Sequence, residues 1–196
     1  MDLGTPGIKG ADSFYHHLFG WQFRSAGPES GGYGLFQLAG RTVAAGTQNP
    51  PEQGPPSWNV YFRTPDADAT AKAVEQAHGS VLMPPMDVMD QGRMAILGDR
   101  AGVPFGIWQP ERNSGLDVVT VPGSLCWLEL YTPDLPAAAG FYNSVFGWET
   151  SAITFDEGSC TCVNPTTDMA GVGRFAKLAD PYGARFAVIR SESPQG

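Results

Sequence analysis

Few residues of this chain combine a reactive type with a spacing that chemistry could use. His16 and His17 stand side by side in "FYHHLFGW", where imidazoles could ligate a metal or move protons. Adjacent helical residues point about 100° apart, so the two cannot share one metal in helical geometry and read as solvated helix residues. His78 falls near a helix C-terminus and reads the same way. Cys160 and Cys162 lack the C-x-x-C spacing, and with Cys126 they make an odd count, which suits reduced thiols better than a disulfide framework. Trp127, Glu129 and Tyr131 alternate in "CWLELYT", so on a strand they point one way. A carboxylate among such rings could accept hydrogen bonds from phenols, or act as a base if burial raises its pKa. Trp58, Trp108, Met83 and Met94 add flat and pliable apolar surface, which suits planar ligands.

The elements that position these residues repeat. "LGTPGIKGADSFYHHLFGW" (Leu3–Trp21) returns as "LYTPDLPAAAGFYNSVFGW" (Leu130–Trp148), and "GRMAILGDRAGVPFGIW" (Gly92–Trp108) as "GRFAKLADPYGARFAVI" (Gly173–Ile189). Asp2 takes the place in the first copy that Glu129 takes in the second. Each unit opens with an extended stretch ending in Thr-Pro, where proline bars helix at the preceding residue. Amphipathic helices then follow around Ile8–Leu18 and Pro136–Val145, with Gly20 and Gly147 as stops. "YGLFQL", "RTVAAG", "SVLMPP", "RMAIL" and "PFGIWQ" read as strands. "SWNVYFR" opens another unit, whose helix has Asp66 or Asp68 as N-cap and Gly79 as stop. The octet aromatics pack helix against sheet, and Arg93 and Arg174 anchor strand ends.

The fold expected is α+β: tandem β-α-β-β-β units forming cupped mixed sheets with helices on the outside. A first domain spans 1–112, with units at about 1–50 and 57–110, followed by a linker at 113–122. A second domain spans 123–192 and lacks about 46 residues of the first copy's pattern, between about 151 and 162.

Composition narrows the function. The chain has 196 residues, with 12 Lys and Arg against 20 Asp and Glu, for a net charge of −8. Nucleic acid and anionic membrane surfaces are therefore poor partners. No apolar run approaches the length of a membrane span and the first residues do not resemble a secretory signal, so a cytoplasmic location is expected. GxSxG, P-loop and HExxH motifs are missing.

The repeated "FYxxxFGW" and "LxDxxGxxFxxx" blocks resemble the vicinal oxygen chelate superfamily, which includes glyoxalase I, bleomycin-resistance proteins and extradiol dioxygenases. The likeness is greatest to tandem four-unit actinobacterial members. The resemblance implies one divalent metal per cup, held by His, Gln or Glu on opening and closing strands. Carried over position by position, the opening ligand falls on Trp127 and near Trp58 or Asn59, and the closing ligand on Gly106 and Ala187. Gln37 alone keeps a donor type. No metal or other cofactor is therefore expected. The expected function is metal-independent binding of a small aromatic or polyketide-like molecule, in antibiotic resistance or natural-product metabolism. Trp58, Trp108, Trp127, Glu129, Tyr131, Gln37, Met83 and Met94 are the candidate ligand-binding residues. The alternative is an enzyme of lyase, isomerase or oxygenase type on such a substrate, with Glu129 as candidate catalytic group. A monomer or a homodimer would serve either function.

Overall fold

Proline, glycine and aspartate punctuate the chain as local chemistry requires. The computed structural model describes residues 1–150, 167–169 and 173–191; the pair Cys160 and Cys162 lies outside the described residues. Helix α1 (Ile8–Phe19) ends at Gly20 with φ 76°, and α3 (Leu135–Phe146) at Gly147 with φ 69°. The Asp134 side chain caps α3 by accepting from the Ala137 N–H at 3.0 Å. In α2 (Ala67–Gln76) the N-cap is Asp66, which accepts from the Ala69 N–H at 2.9 Å. After α2 the left-handed residue is His78, φ 65°, and not Gly79. Gly79 is needed for close approach instead, because a Cβ there would lie 2.6 Å from the Gly98 carbonyl oxygen.

Nine strands of the first 110 residues form two sheets. The first holds β1 (Asp2–Thr5), β2 (Gln22–Ser25), β3 (Gly34–Leu38), β4 (Arg41–Gln48) and β5 (Ser57–Asn59), in the order β2-β3-β4-β1-β5. The second holds β6 (Tyr61–Arg63), β7 (Ser80–Val88), β8 (Gly92–Gly98) and β9 (Pro104–Pro110), in the order β6-β9-β8-β7. β1 runs parallel to β4 and β6 parallel to β9, with every other pairing in these sheets antiparallel. The stretch "SWNVYFR" is not one strand: it breaks at Val60, because its first half pairs with β1 and its second with β9. A third sheet, β10 (Thr167–Met169), β11 (Gly173–Ala179) and β12 (Arg185–Ser191), belongs to the second copy. The expected opening strand around Trp127–Tyr131 does not form, since no described strand pairs with it. Among the described residues no helix is long and apolar enough to cross a membrane.

Two apolar cores lie on the helix faces of the sheets. One gathers Leu3, Tyr15, Trp21, Phe36 and Val43; the other gathers Val74, Ala95, Leu97, Phe105, Ile107 and Phe141. The copies interlock across these cores in matching ways. The buried Tyr15 hydroxyl of α1 donates to Asp180 of the second copy at 3.3 Å, and Phe186 packs edge-on against the Tyr15 ring at 5.8 Å. In turn the Tyr142 hydroxyl of α3 donates to Asp99 of the first copy at 3.3 Å, and Phe105 packs on the Tyr142 ring at 5.9 Å. The segment read as a linker is strapped to the first sheet. Thr42 N–H donates to Asp117 at 2.7 Å, Val118 is buried, and the Trp21 indole donates to the Gly123 carbonyl at 2.7 Å.

The octet histidines have structural roles that the second copy fills with other residues. His16 Nδ1 lies 2.9 Å from the Trp21 carbonyl, and Asn143 donates to the Trp148 carbonyl at 3.0 Å. His17 Nδ1 lies 2.6 Å from the Ser13 carbonyl, and Ser144 donates to the Gly140 carbonyl at 2.8 Å. Arg93 ties the start of α2 to the β7–β8 hairpin through Asp68 and Asp87, each at 2.8 Å.

Tyr15→Phe leaves Trp58 Nε1 and one Asp180 oxygen without the buried partner each now has. It should lower unfolding free energy by about 1–3 kcal/mol. Tyr142→Phe, at a half-buried site, should cost less, and urea denaturation of the two variants checks the order.

Candidate functional site

Strand alternation decides what faces away from the helices. In β3, Phe36 goes to the core, so Leu35 and Gln37 face the other way, with Tyr33 just before the strand following the same alternation. In β1, Leu3 goes to the core and Asp2 faces the opposite side, in register with Ala45 and Asn59. In β9, Phe105 and Ile107 are buried against the helices, so Gly106 and Trp108 face outward. In β8, Ala95 and Leu97 are buried the same way, leaving Met94 and Ile96 on the open face. Register then lays two rows across the second sheet. Tyr61, Gly106, Ile96 and Met83 form one, and Arg63, Trp108, Met94 and Met86 the other. With Asp2, Tyr33, Gln37 and Asn59 from the first sheet, these rows form the open face of the first cup.

Alternation thus puts Trp108, Met83 and Met94 on the face of the second sheet turned away from the helices, and Gln37 on the corresponding face of the first sheet. Trp58 is not part of it. Its partner in register is the buried Leu3, and its indole donates to Tyr15 at 3.1 Å, so it belongs to the helix-side core. Met89 lies at the β7–β8 turn with φ 49° and is largely exposed, outside the rows. Sequence reasoning passed over Tyr33 and Tyr61 and gave Asp2 only a passing mention. The signal was available, because Asp2 adjoins the core residue Leu3, Tyr61 adjoins Phe62, and Tyr33 lies an odd number of residues before the core Phe36.

The electrostatics of this face centre on Asp2. Burial pushes its carboxyl above the usual carboxylate range. The Tyr33 and Tyr61 hydroxyls are pushed up by burial first and then by the charge of Asp2. A desolvated carboxyl beside phenols, next to an indole and thioethers, can hold a hydroxylated planar ring: hydrogen bonds at one end, stacking at the other.

Among the described residues, the side chains at the first cup's carried-over ligand positions do not fit a divalent metal. At the closing-ligand position Gly106, a Cβ would lie 2.3 Å from the Tyr61 ring, so that ring fills the space a ligand side chain would need. Trp58, an opening position, points into the core. Among the described residues no group of three or more His, Cys, Asp or Glu could hold a metal ion.

In the second copy, Trp127, Glu129 and Tyr131 do converge, although no strand carries them. Trp127 Nε1 donates to one Glu129 oxygen at 3.2 Å and the Tyr131 hydroxyl to the other at 2.7 Å. Lys177 on β11 joins them, donating to the Tyr131 oxygen at 2.6 Å with its ammonium 4.5 Å from the ring centroid. Sequence reasoning missed Lys177. It replaces Ile96 in the repeated block, and its partner in register is Ala187, the counterpart of Gly106.

Comparison with known proteins gives two family matches. The Glyoxalase/Bleomycin resistance protein/Dioxygenase superfamily matches residues 3–107, and the bleomycin resistance protein-like N-terminal family matches residues 125–164. The anthracycline biosynthesis protein DauV of Streptomyces sp. (strain C5) is 41% identical over 162 residues, covering 75% of this chain and 59% of the relative. DnrV of Streptomyces peucetius, also named an anthracycline biosynthesis protein, matches to the same extent. The chain thus spans 59% of the length of these two relatives. The Mycobacterium tuberculosis protein CFP32 is 31% identical over 248 aligned positions, covering 100% of this chain and 95% of the relative. In fold, the chain is similar to the Mn(II)-bound glyoxalase from Novosphingobium aromaticivorans, with TM-score 0.65, 14% identity and coverage of 95% and 79%. It is also similar to a catechol 2,3-dioxygenase, with TM-score 0.57, 13% identity and coverage of 99% and 88%.

Gly106→Ala should force the Tyr61 ring off its place and cost about 1–3 kcal/mol of stability, as overpacking does. Thermal or urea unfolding of the variant checks this.

Proposed function

Because this chain belongs to the glyoxalase/bleomycin resistance/dioxygenase superfamily, we propose that its first cup binds a planar, hydroxylated aromatic molecule of the polyketide kind, without a metal. The observation that carries the reading is the open face itself. The desolvated Asp2 with Tyr33 and Tyr61 stands at one side, and Trp108, Met94, Met83 and Met86 extend from it. The position to which the family resemblance assigns a metal-ligating side chain is Gly106, which lies under the Tyr61 ring. Asp2 accepts from a ligand phenol, and the indole and thioethers cover the ring. The names of the two Streptomyces relatives agree with an aromatic polyketide as ligand. Both sheets of this cup come from one chain, so a monomer suffices.

One observation favours a second reading, an enzyme on the same class of molecule. A carboxyl whose pKa is raised by burial is suited to take a proton from carbon next to a carbonyl. In that case Asp2, rather than Glu129, is the base. Exchange of a ligand C–H for deuterium in heavy water, abolished by Asp2→Asn, separates turnover from binding alone.

Binding is tested by titrating 1,4-dihydroxyanthraquinone and following tryptophan fluorescence. Trp108→Leu should weaken affinity about three- to tenfold through lost stacking. Asp2→Asn should weaken it about tenfold or more through a lost charge-assisted hydrogen bond. The ionised carboxyl is the acceptor, and its pKa is raised from 3.8. Affinity should therefore fall as pH drops through that raised value, earlier than for an ordinary aspartate. Equal affinity in both variants and wild type contradicts the reading.

A further inference from the structure

We propose that Lys177 and Glu129 of the second copy form a second binding site for a phenol or enol hydroxyl, a site that Tyr131 fills with its own hydroxyl. The three groups make one directed chain. The Lys177 ammonium donates to the Tyr131 oxygen at 2.6 Å, and the Tyr131 hydroxyl donates to Glu129 Oε2 at 2.7 Å. A hydroxyl can sit between a cation and a carboxylate because it accepts from the first and donates to the second, and a phenol does so best because its proton is comparatively acidic. Tyr131 therefore shows the chemistry that fits the space.

Two further observations distinguish this from an ordinary surface ion network. First, Lys177 stands on the side of its sheet that faces away from the helices. Its partner in register is Ala187, whereas the neighbouring residue Phe186 packs on the Tyr15 core. The cation thus occupies in the second copy the position that Ile96 occupies in the floor of the first cup. Second, the gap is flanked by an exposed aromatic surface. The Trp127 indole donates to the other Glu129 oxygen and is 58% exposed. Tyr131 is 68% exposed, on a segment without strand pairing, so it can swing aside at small cost. The ligand class is a hydroxylated aromatic or enolised diketone. One oxygen lies between Lys177 and Glu129, and the ring lies against Trp127.

This site is separate from the first cup, and the test keeps the two apart. 1,4-Dihydroxyanthraquinone is titrated by calorimetry into the full chain carrying Trp108→Leu and Asp2→Asn, and into the same background with Lys177→Met, Glu129→Gln or Tyr131→Phe. All three added substitutions are at or near the surface, and far-UV circular dichroism checks that the fold is kept. The proposal expects binding to remain in the background. It expects Lys177→Met and Glu129→Gln each to weaken that binding at least about tenfold. It expects Tyr131→Phe to hold or strengthen it, because the competing hydroxyl is removed. A loss with Tyr131→Phe as large as with Lys177→Met would make Tyr131 a ligand contact and overturn the displacement. Indifference to Lys177→Met, or no binding in the background, would overturn the site. In either of those cases the first cup is judged by its own variants in the otherwise native chain.

Discussion

The buried hydroxyl of Tyr15 is the interaction on which the rest of this structure depends. It accepts the Trp58 indole N–H at 3.1 Å and donates to Asp180 at 3.3 Å. It thereby ties α1, the edge strand β5 of the first sheet and the closing turn of the second copy at one point. Around it the ring stacks on Trp21 and meets Phe36, Trp58 and Phe186 edge-on or tilted. Asp180 is fixed in its turn because its other oxygen accepts the backbone N–H groups of Tyr182 and Ala184, each at 2.9 Å. A buried polar group satisfied on both sides rigidifies what it joins, and one left unpaired would cost more than the bond contributes.

That anchoring has a consequence on the opposite face of the sheet. With Trp58 committed to the core, its neighbour Asn59 faces the cup opposite Asp2, and after the break at Val60 the strand presents Tyr61 over Gly106. At Gly106 the chain carries a glycine covered by the Tyr61 phenol. The cup that results is carpeted by rings and thioethers around one desolvated carboxyl. In the second copy the same positions hold Ala187 and Lys177, and a cation–phenol–carboxylate chain takes the place of the apolar floor.

The repeat was legible in the sequence because whole blocks recur, and with it the α+β class and the helix ends at Gly20 and Gly147. The strands that carry Trp108, Met83, Met94 and Gln37 were legible too, from their alternating residues. Trp58 was misread because periodicity gives the two faces of a strand but not which one meets a helix; that choice is made by Leu3 beside it and by the Tyr15 hydroxyl. The break at Val60 was hidden for a similar reason, since each half of "SWNVYFR" is a good strand and only the partners differ. Gly79 was read as a helix stop, while the chain uses His78 for the left-handed turn and the glycine for contact with Gly98. Lys177 was invisible because its partner, Tyr131, is 46 residues away. His16 and His17, legible as non-catalytic helix residues, make the bonds that Asn143 and Ser144 make in the second copy.

The central claim is that the cup recognises its ligand without a metal. The most direct test is a calorimetric titration of a hydroxyanthraquinone into protein dialysed against a chelator, repeated after adding one equivalent of Mn(II). The same dissociation constant is expected in both titrations, weakened about tenfold or more in Asp2→Asn. Binding that appears only with the metal, and that survives Asp2→Asn, would contradict it.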